Sequence, residues 1–271
     1  MSRISAKFEE LRRRGEGALI AFVMAGDPKP VMTPEIVKTL SKHADIIELG
    51  IAFSDPIADG PTIQAAADRA LRAGTTPPHV FAMTKKIRQT NGIPIVVLTY
   101  YNLVLKPHLE TFMQNLSTAG VDGIIIPDLP LEEIGEVRKV AKKHHVDLIL
   151  LAAPTTQPKR MKQICEASDG FVYLVSLLGV TGAREKLSGA VKNMVAKAKI
   201  ASKRRIPLAV GFGISKPEHV KEVIKCGADG AIVGSAFVKI IEKNLKNEQK
   251  MLRELENFGK ILKSAAKTRR G

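Results

Sequence analysis

The sequence predicts an α/β protein of the (β/α)8 barrel class, and three observations carry that expectation. Eight short, nearly unbroken apolar runs punctuate the chain, at residues 18–23, 46–51, 95–100, 123–126, 148–152, 172–176, 207–211 and 231–233. Runs without polar alternation mark strands buried on both faces, the pattern of a parallel sheet. Amphipathic stretches of helical spacing separate these runs, as βα units require. The length, 271 residues, suits one barrel domain over 1–271, since such barrels typically use about 250 residues. A doubly wound open sheet is the structural competitor. It is disfavoured because the turn after the first run, Met24 to Pro28, lacks the G-x-G-x-x-G fingerprint.

Taken in order, residues 7–14 place Phe8 and Leu11 on one face, a short extra helix ahead of the first strand that would cover the barrel bottom. Strand 18–23 leads to a helical pattern at 33–43. Strand 46–51 carries Glu48 and runs into a loop with Asp55, Pro56, Asp59, Gly60 and Pro61, followed by helical patterns at 63–73 and 78–89. Strands 95–100, 123–126 and 148–152 lead to helices at 109–119, 131–143 and 158–167. Strand 172–176 opens a long loop, 177–189, containing Gly179, Thr181, Gly182 and Gly189 before a helix at 190–202. Long βα loops of this kind are often lids. Strand 207–211 precedes Gly213 and a helix at 217–226, and strand 231–233 ends in Gly234 and Ser235 before an apolar helix. Residues 247–268 repeat Leu and Phe at helical spacing and are expected to pack outside the barrel as an extra C-terminal helix. No linker, low-complexity tract or second domain is evident.

Composition narrows the function classes. An apolar content of 45% is ample for a core, and no segment is long and apolar enough to span a membrane. The N-terminal residues lack an apolar signal region, so a cytoplasmic protein is expected. Cys165 and Cys226 have no metal-type spacing and read as buried free thiols. The formal net charge is +15. Residues 186–271 hold 20 Lys and Arg against 7 Asp and Glu, whereas residues 1–185 hold 22 against 20. Most of the excess is therefore scattered along C-terminal helices. With three Tyr, no Trp and no basic stretch interleaved with aromatics, solvated helix faces explain it better than a nucleic-acid groove.

In this fold, chemistry gathers at the C-terminal ends of the strands. Glu48 is costly to bury between apolar neighbours unless it is paired or used, and Asp59 on the adjoining loop can face the same cleft. Two such carboxylates suit general acid/base work. Gly213 would allow an anion close to the backbone, and Gly234 and Ser235 open a helix whose N-terminus favours one, a phosphate site at the ends of strands seven and eight. No Lys lies at a strand end for a Schiff base. The six His, all in helices or at their edges, form no metal-ligand pair. No G-x-S-x-G elbow or Cys–His frame occurs. Acid/base chemistry on a phosphorylated small molecule survives.

The run from Glu48 to Gln64, ELGIAFSDPIADGPTIQ, resembles the signature of the tryptophan synthase alpha chain family. Phe22 with Gly26-Asp27-Pro28, Tyr100 to Val104, Pro127 to Pro130, Gly179 to Gly182, Gly211 to Ile214 and Ser235 to Lys243 are similar to the same family in the same order. The resemblance implies retro-aldol cleavage of indole-3-glycerol phosphate to indole and D-glyceraldehyde 3-phosphate by a carbon–carbon lyase without a cofactor or metal. It assigns proton transfer to Glu48 and acceptance of the indole N–H to Asp59. Tyr173 corresponds to an active-site tyrosine near Glu48. Phe22, Ile63, Leu98, Tyr100, Ile125 and Phe212 correspond to positions around the indole, and Gly182, Gly213, Gly234 and Ser235 to phosphate binders. Thr181 corresponds to a lid threonine that meets Asp59.

The resemblance also implies a beta chain that carries pyridoxal phosphate, receives the indole for L-tryptophan synthesis and joins the alpha chain in an α2β2 tetramer. Asp55, Pro56 and Asn102 fall at its contact surface. Ala52, Met24 and Leu177 depart from the common Pro, Thr and Arg of the family pattern, which bears on loop rigidity and partner signalling rather than on a catalytic group. The alternative in a different class is a non-catalytic barrel that only activates a beta chain. Such a chain would tolerate loss of Glu48 or Asp59, and both are present.

Overall fold

A computed structural model describes residues 1–176, 189–211 and 213–267. The order is α1 (Arg3–Arg13), β1 (Ala18–Met24), α2 (Met32–Leu40), β2 (Ile46–Gly50), α3 (Pro61–Arg72), α4 (Pro77–Arg88), β3 (Ile95–Leu98), α5 (Tyr101–Leu105), α6 (Leu109–Ala119) and β4 (Gly123–Ile125). A 3-10 turn (Leu131–Glu133) leads to α7 (Ile134–Lys143), β5 (Asp147–Ala152), α8 (Pro158–Ala167), β6 (Val172–Val175), α9 (Gly189–Ser202), β7 (Leu208–Gly211), α10 (Pro217–Lys225), β8 (Gly230–Val233), α11 (Ser235–Lys243) and α12 (Glu248–Ala266). The strands close in sequence order, and β8 returns to β1. Every pairing is parallel. This is the expected (β/α)8 barrel.

Side chains alternate across each strand. Ile20, Phe22, Ile46, Val96, Leu98, Ile125, Ile149, Tyr173, Ala209 and Ile232 fill the interior. Their neighbours Leu19, Ala21, Ile47, Leu49, Val97, Ile124, Leu148, Leu174, Val210 and Val233 meet the outer helices. Both faces are therefore apolar, which is why the strands read as unbroken runs.

The bottom is plugged as expected. Ile4, Phe8 and Leu11 of α1 are buried among the interior side chains, and Phe8 meets Phe171 with ring centroids 5.8 Å apart. A Cβ on Gly123 would come within 2.9 Å of the Ile4 side chain, so the glycine makes room for the plug. A repeated clamp closes the same end. The Asp45, Asp122 and Asp229 carboxylates accept from the N–H groups of Leu19, Ile95 and Leu208 at 2.8, 2.8 and 2.9 Å. Ser168 Oγ accepts from Leu150 at 3.0 Å in the fourth position. Each clamp ties an odd strand to the segment leading into the next even one. At the other side α12 buries Met251, Leu255 and Leu262 against α2, α10 and β1, with Gly17 N–H donating to Ala266 O at 2.9 Å.

The mouth departs from one helix per strand. The buried face of α3 is Ala66, Ala67 and Ala70, and these pack with the barrel interior rather than with the outer layer. Small side chains let α3 lie close across the mouth, against β1 and α11. It is α4 that packs outside, between α2 and α6. After β8, α11 joins α3 at the mouth and α12 takes the outer position. The short α5, five residues long, shows no periodicity in sequence and was not expected. Strand three ends at Leu98, and Tyr100 instead caps α5. Cys165 is buried as expected, but Cys226, at the C-cap of α10, is only half-buried. Among the described residues, no helix is long and apolar enough to cross a membrane.

Candidate active site

Glu48 lies in the middle of β2, paired with Phe22 of β1 and Val96 of β3, and its position in the alternation turns it inward. Only 1% of it is exposed, and its Oε2 has no hydrogen-bond partner among the described residues. Burial raises its pKa to about 8, with the nearby Asp59 adding to the shift. Two glycines set the space around it. A Cβ on Gly50 would approach Phe22 Cζ to 2.8 Å, and one on Gly211 would approach Tyr173 Oη to 2.4 Å. Both rings lean into room that any larger residue would occupy. Burial holds the Tyr173 phenol protonated, and the charges of Glu48 and Asp59 reinforce this.

Asp59 is held by the loop after β2. Its N–H donates to Pro56 O at 3.3 Å, and its carbonyl accepts from Gln64 Nε2 of α3 at 2.8 Å. Tyr100 Oη donates to its carboxylate at 3.1 Å and accepts from Ala58 N–H at 3.0 Å. Phe53 stacks on the Tyr100 ring at 5.2 Å. Burial raises the Asp59 pKa, and the Tyr100 hydrogen bond opposes that rise. Tyr100 is thus a support behind Asp59.

A cavity of about 310 Å³ opens above Glu48, lined by Phe22, Asp59, Ile63, Leu98 and Tyr173 and, on another side, by Gly213, Gly234 and Ser235. Gly213 has φ of +77°, a left-handed conformation that favours glycine. Gly234 is the N-cap of α11 and brings no capping side chain to its first turn, where backbone N–H groups lack helical acceptors. A Cβ there would come within 3.2 Å of Phe22 Cδ1, so the glycine also lets the apolar wall and the helix N-terminus meet.

The structure therefore gathers Phe22, Glu48, Asp59, Ile63, Leu98, Tyr173, Gly213, Gly234 and Ser235 around one space. It does not place Ile125 or Tyr100 on the wall: Ile125 is wholly buried inside the barrel, and Tyr100 is screened by Asp59. Thr181, Gly182, Phe212 and Leu177 lie outside the described residues. Asp55 and Asn102 are exposed and Pro56 half-buried, on loops beside the mouth. Sequence reasoning missed Thr62, Ile214 and Ile232 on the wall. The inward alternation of β8 could have revealed Ile232, whereas Thr62 depends on how α3 crosses the mouth. No group of three or more His, Cys, Asp or Glu among the described residues could hold a metal ion.

Comparison with known proteins gives this geometry a family. A model of the tryptophan synthase alpha chain matches residues 8–267. The tryptophan synthase alpha chain of Methanocaldococcus jannaschii is 49% identical over 257 residues, covering 94% of this chain and 90% of that protein. That of Arabidopsis thaliana is 49% identical over 263 residues, covering 97% and 94%. Among solved structures, tryptophan synthase subunit alpha of Legionella pneumophila superposes with a TM-score of 0.89 at 35% identity, covering 98% of both chains. A chain from the Pyrococcus furiosus tryptophan synthase a2b2 complex superposes with a TM-score of 0.86 at 40% identity, covering 91% of this chain and 98% of that one. Identity of this level, sustained over nearly the whole barrel, leaves one conclusion: the chain belongs to the tryptophan synthase alpha chain family.

Proposed function

We propose that this chain cleaves indole-3-glycerol phosphate to indole and D-glyceraldehyde 3-phosphate, with Glu48 as the acid/base and Asp59 as the partner of the indole N–H. The observation that carries the assignment is a fully buried carboxyl of pKa about 8 facing a second carboxylate in a cavity that ends at a helix N-terminus. At neutral pH Glu48 is largely protonated, as a proton donor to the indole C3 carbon must be. Protonation there places positive charge on the ring nitrogen, which the Asp59 carboxylate stabilises. The Glu48 carboxylate left by that transfer then takes the proton of the side-chain hydroxyl. The carbon–carbon bond breaks as the aldehyde forms, and its electron pair restores the aromatic ring. Phe22, Ile63 and Leu98 supply an apolar wall for the indole. Gly213, Gly234 and Ser235 supply backbone N–H groups for the phosphate.

The chain needs no cofactor of its own in this scheme. The indole goes to a beta chain that carries pyridoxal phosphate, within an α2β2 tetramer in the cytoplasm. Loop residues Asp55, Pro56 and Asn102 are proposed to meet that partner, and Ile57, next to Pro56 and 83% exposed, supports a docking role. Thr181 and Gly182 are proposed to close over the site. Incubating the purified chain with indole-3-glycerol phosphate and following indole tests the assignment. Release of indole that persists unchanged in Glu48→Gln would refute the role of Glu48, and absence of indole both alone and with a beta chain would favour the non-catalytic alternative.

A further inference from the structure

The two helices across the mouth are tied together by residues that do not line the cavity. Asp27, in the loop after β1, is wholly buried, and Arg69 of α3 grips it with both ends of its fork: Nε to Oδ1 at 2.7 Å and Nη2 to Oδ2 at 2.9 Å. The third nitrogen, Nη1, reaches Glu242 Oε1 of α11 at 3.4 Å. Burial works against the Asp27 charge and Arg69 supports it, so neither member keeps its ionic form cheaply without the other. The rigid, planar guanidinium holds three elements in one geometry.

Both tied helices begin at the cavity. Asp59 immediately precedes the N-cap of α3, and Gln64 of α3 donates to its carbonyl. Gly234 and Ser235 open α11, whose N-terminus is the proposed phosphate cradle. The helices pack against each other and against β1. We infer that the Asp27–Arg69–Glu242 tie couples occupation of the phosphate cradle to the placement of Asp59, making Arg69 a positioning residue. This coupling rests on the function proposed above. A phosphate that draws in the start of α11 then moves or braces α3 through the tie, and the substrate's remote phosphate orders the carboxylate that acts on the ring.

The test uses the full chain, with its beta chain where that is required for turnover. Indole-3-glycerol, lacking the phosphate, is supplied with and without inorganic phosphate. In the unchanged protein inorganic phosphate should accelerate its cleavage. Arg69→Met alone strands a buried carboxylate and endangers the fold, so Asp27→Asn/Arg69→Met removes both charges, and Glu242→Gln removes only the exposed arm. In the double variant kcat on the phosphorylated substrate should fall by about 10²-fold, the scale of a 1 Å misplacement. Acceleration by inorganic phosphate should vanish, while inorganic phosphate still inhibits cleavage of the phosphorylated substrate competitively, with an unchanged inhibition constant. Glu242→Gln should weaken the acceleration and spare that inhibition. A merely structural tie would lower Tm and leave the acceleration factor intact in both variants, which overturns the coupling. So does an unchanged protein that cleaves the phosphorylated substrate but ignores inorganic phosphate. An unchanged protein unable to cleave the phosphorylated substrate overturns the function itself.

Discussion

Replacing Glu48 by Gln should make the protein more stable and nearly inactive, by amounts set by pH. The folded carboxyl keeps its proton up to about pH 8, whereas its ordinary value is 4.5. Between those values the native state binds more protons than the unfolded one, so stability falls as pH rises through that window. A neutral amide of nearly the same shape escapes this loss. The expected gain of Glu48→Gln over the unchanged protein is about 1 kcal/mol at pH 5, about 3 kcal/mol at pH 7 and about 5 kcal/mol at pH 9. Urea melts of both proteins at the three pH values measure it. Indole release should meanwhile drop by at least about 10²–10⁴-fold, the usual worth of general acid/base catalysis. A stability difference that stays flat from pH 5 to pH 9 would refute the buried, proton-holding state of Glu48, whatever the activity.

Other perturbations separate the parts of the site. Tyr100→Phe removes the hydroxyl that bridges Ala58 N–H and the Asp59 carboxylate; kcat should fall about tenfold or more, with a smaller change in KM, because a donor to a charged group is worth about 1.5–3 kcal/mol. Gly234→Val brings a side chain against Phe22 and the start of α11, and should raise KM for the phosphorylated substrate in steady-state assays far more than it lowers Tm. Asp122→Ala removes the partner of Ile95 N–H, Arg88 and Arg3 at the barrel bottom. It should destabilise the protein by about 3–5 kcal/mol, the range for breaking a buried pair, and leave the KM of the remaining folded enzyme unaltered.

The barrel was legible because its strands are apolar on both faces and its turns are polar, so strand ends fell within two residues of the observed ones. Glu48 was legible for a physical reason as well, since a carboxyl inside such a run needs a use. What sequence could not show was depth. The pattern at 63–73 reads like any helix, and only packing reveals that Ala66, Ala67 and Ala70 face the barrel interior. The resemblance placed Tyr100 around the indole, at the end of a strand read as 95–100, yet the chain has already turned into α5 there and delivers the hydroxyl to Asp59. Arg69 and Asp27 are 42 residues apart, and nothing local in the sequence pairs them.

The same depth explains how the fold tolerates its costliest residue. Glu48 sits where the interior apolar layer gives way to the cavity, with Phe22 on one neighbouring strand and Val96 on the other. Burial and the nearby Asp59 both disfavour its charge, and its destabilising effect above its ordinary pKa must be offset elsewhere. The offset lies at the opposite end: the α1 plug, the clamps through Asp45, Asp122, Ser168 and Asp229, and the Lys263 ion pairs with Asp45 at 2.8 Å and Glu16 at 3.2 Å. Chemistry at the C-terminal face and stability at the N-terminal face are thus separated along the strands. That separation lets the mouth keep a buried carboxyl, two glycines and a helix start without a side-chain cap, each of which costs stability and each of which the proposed reaction uses.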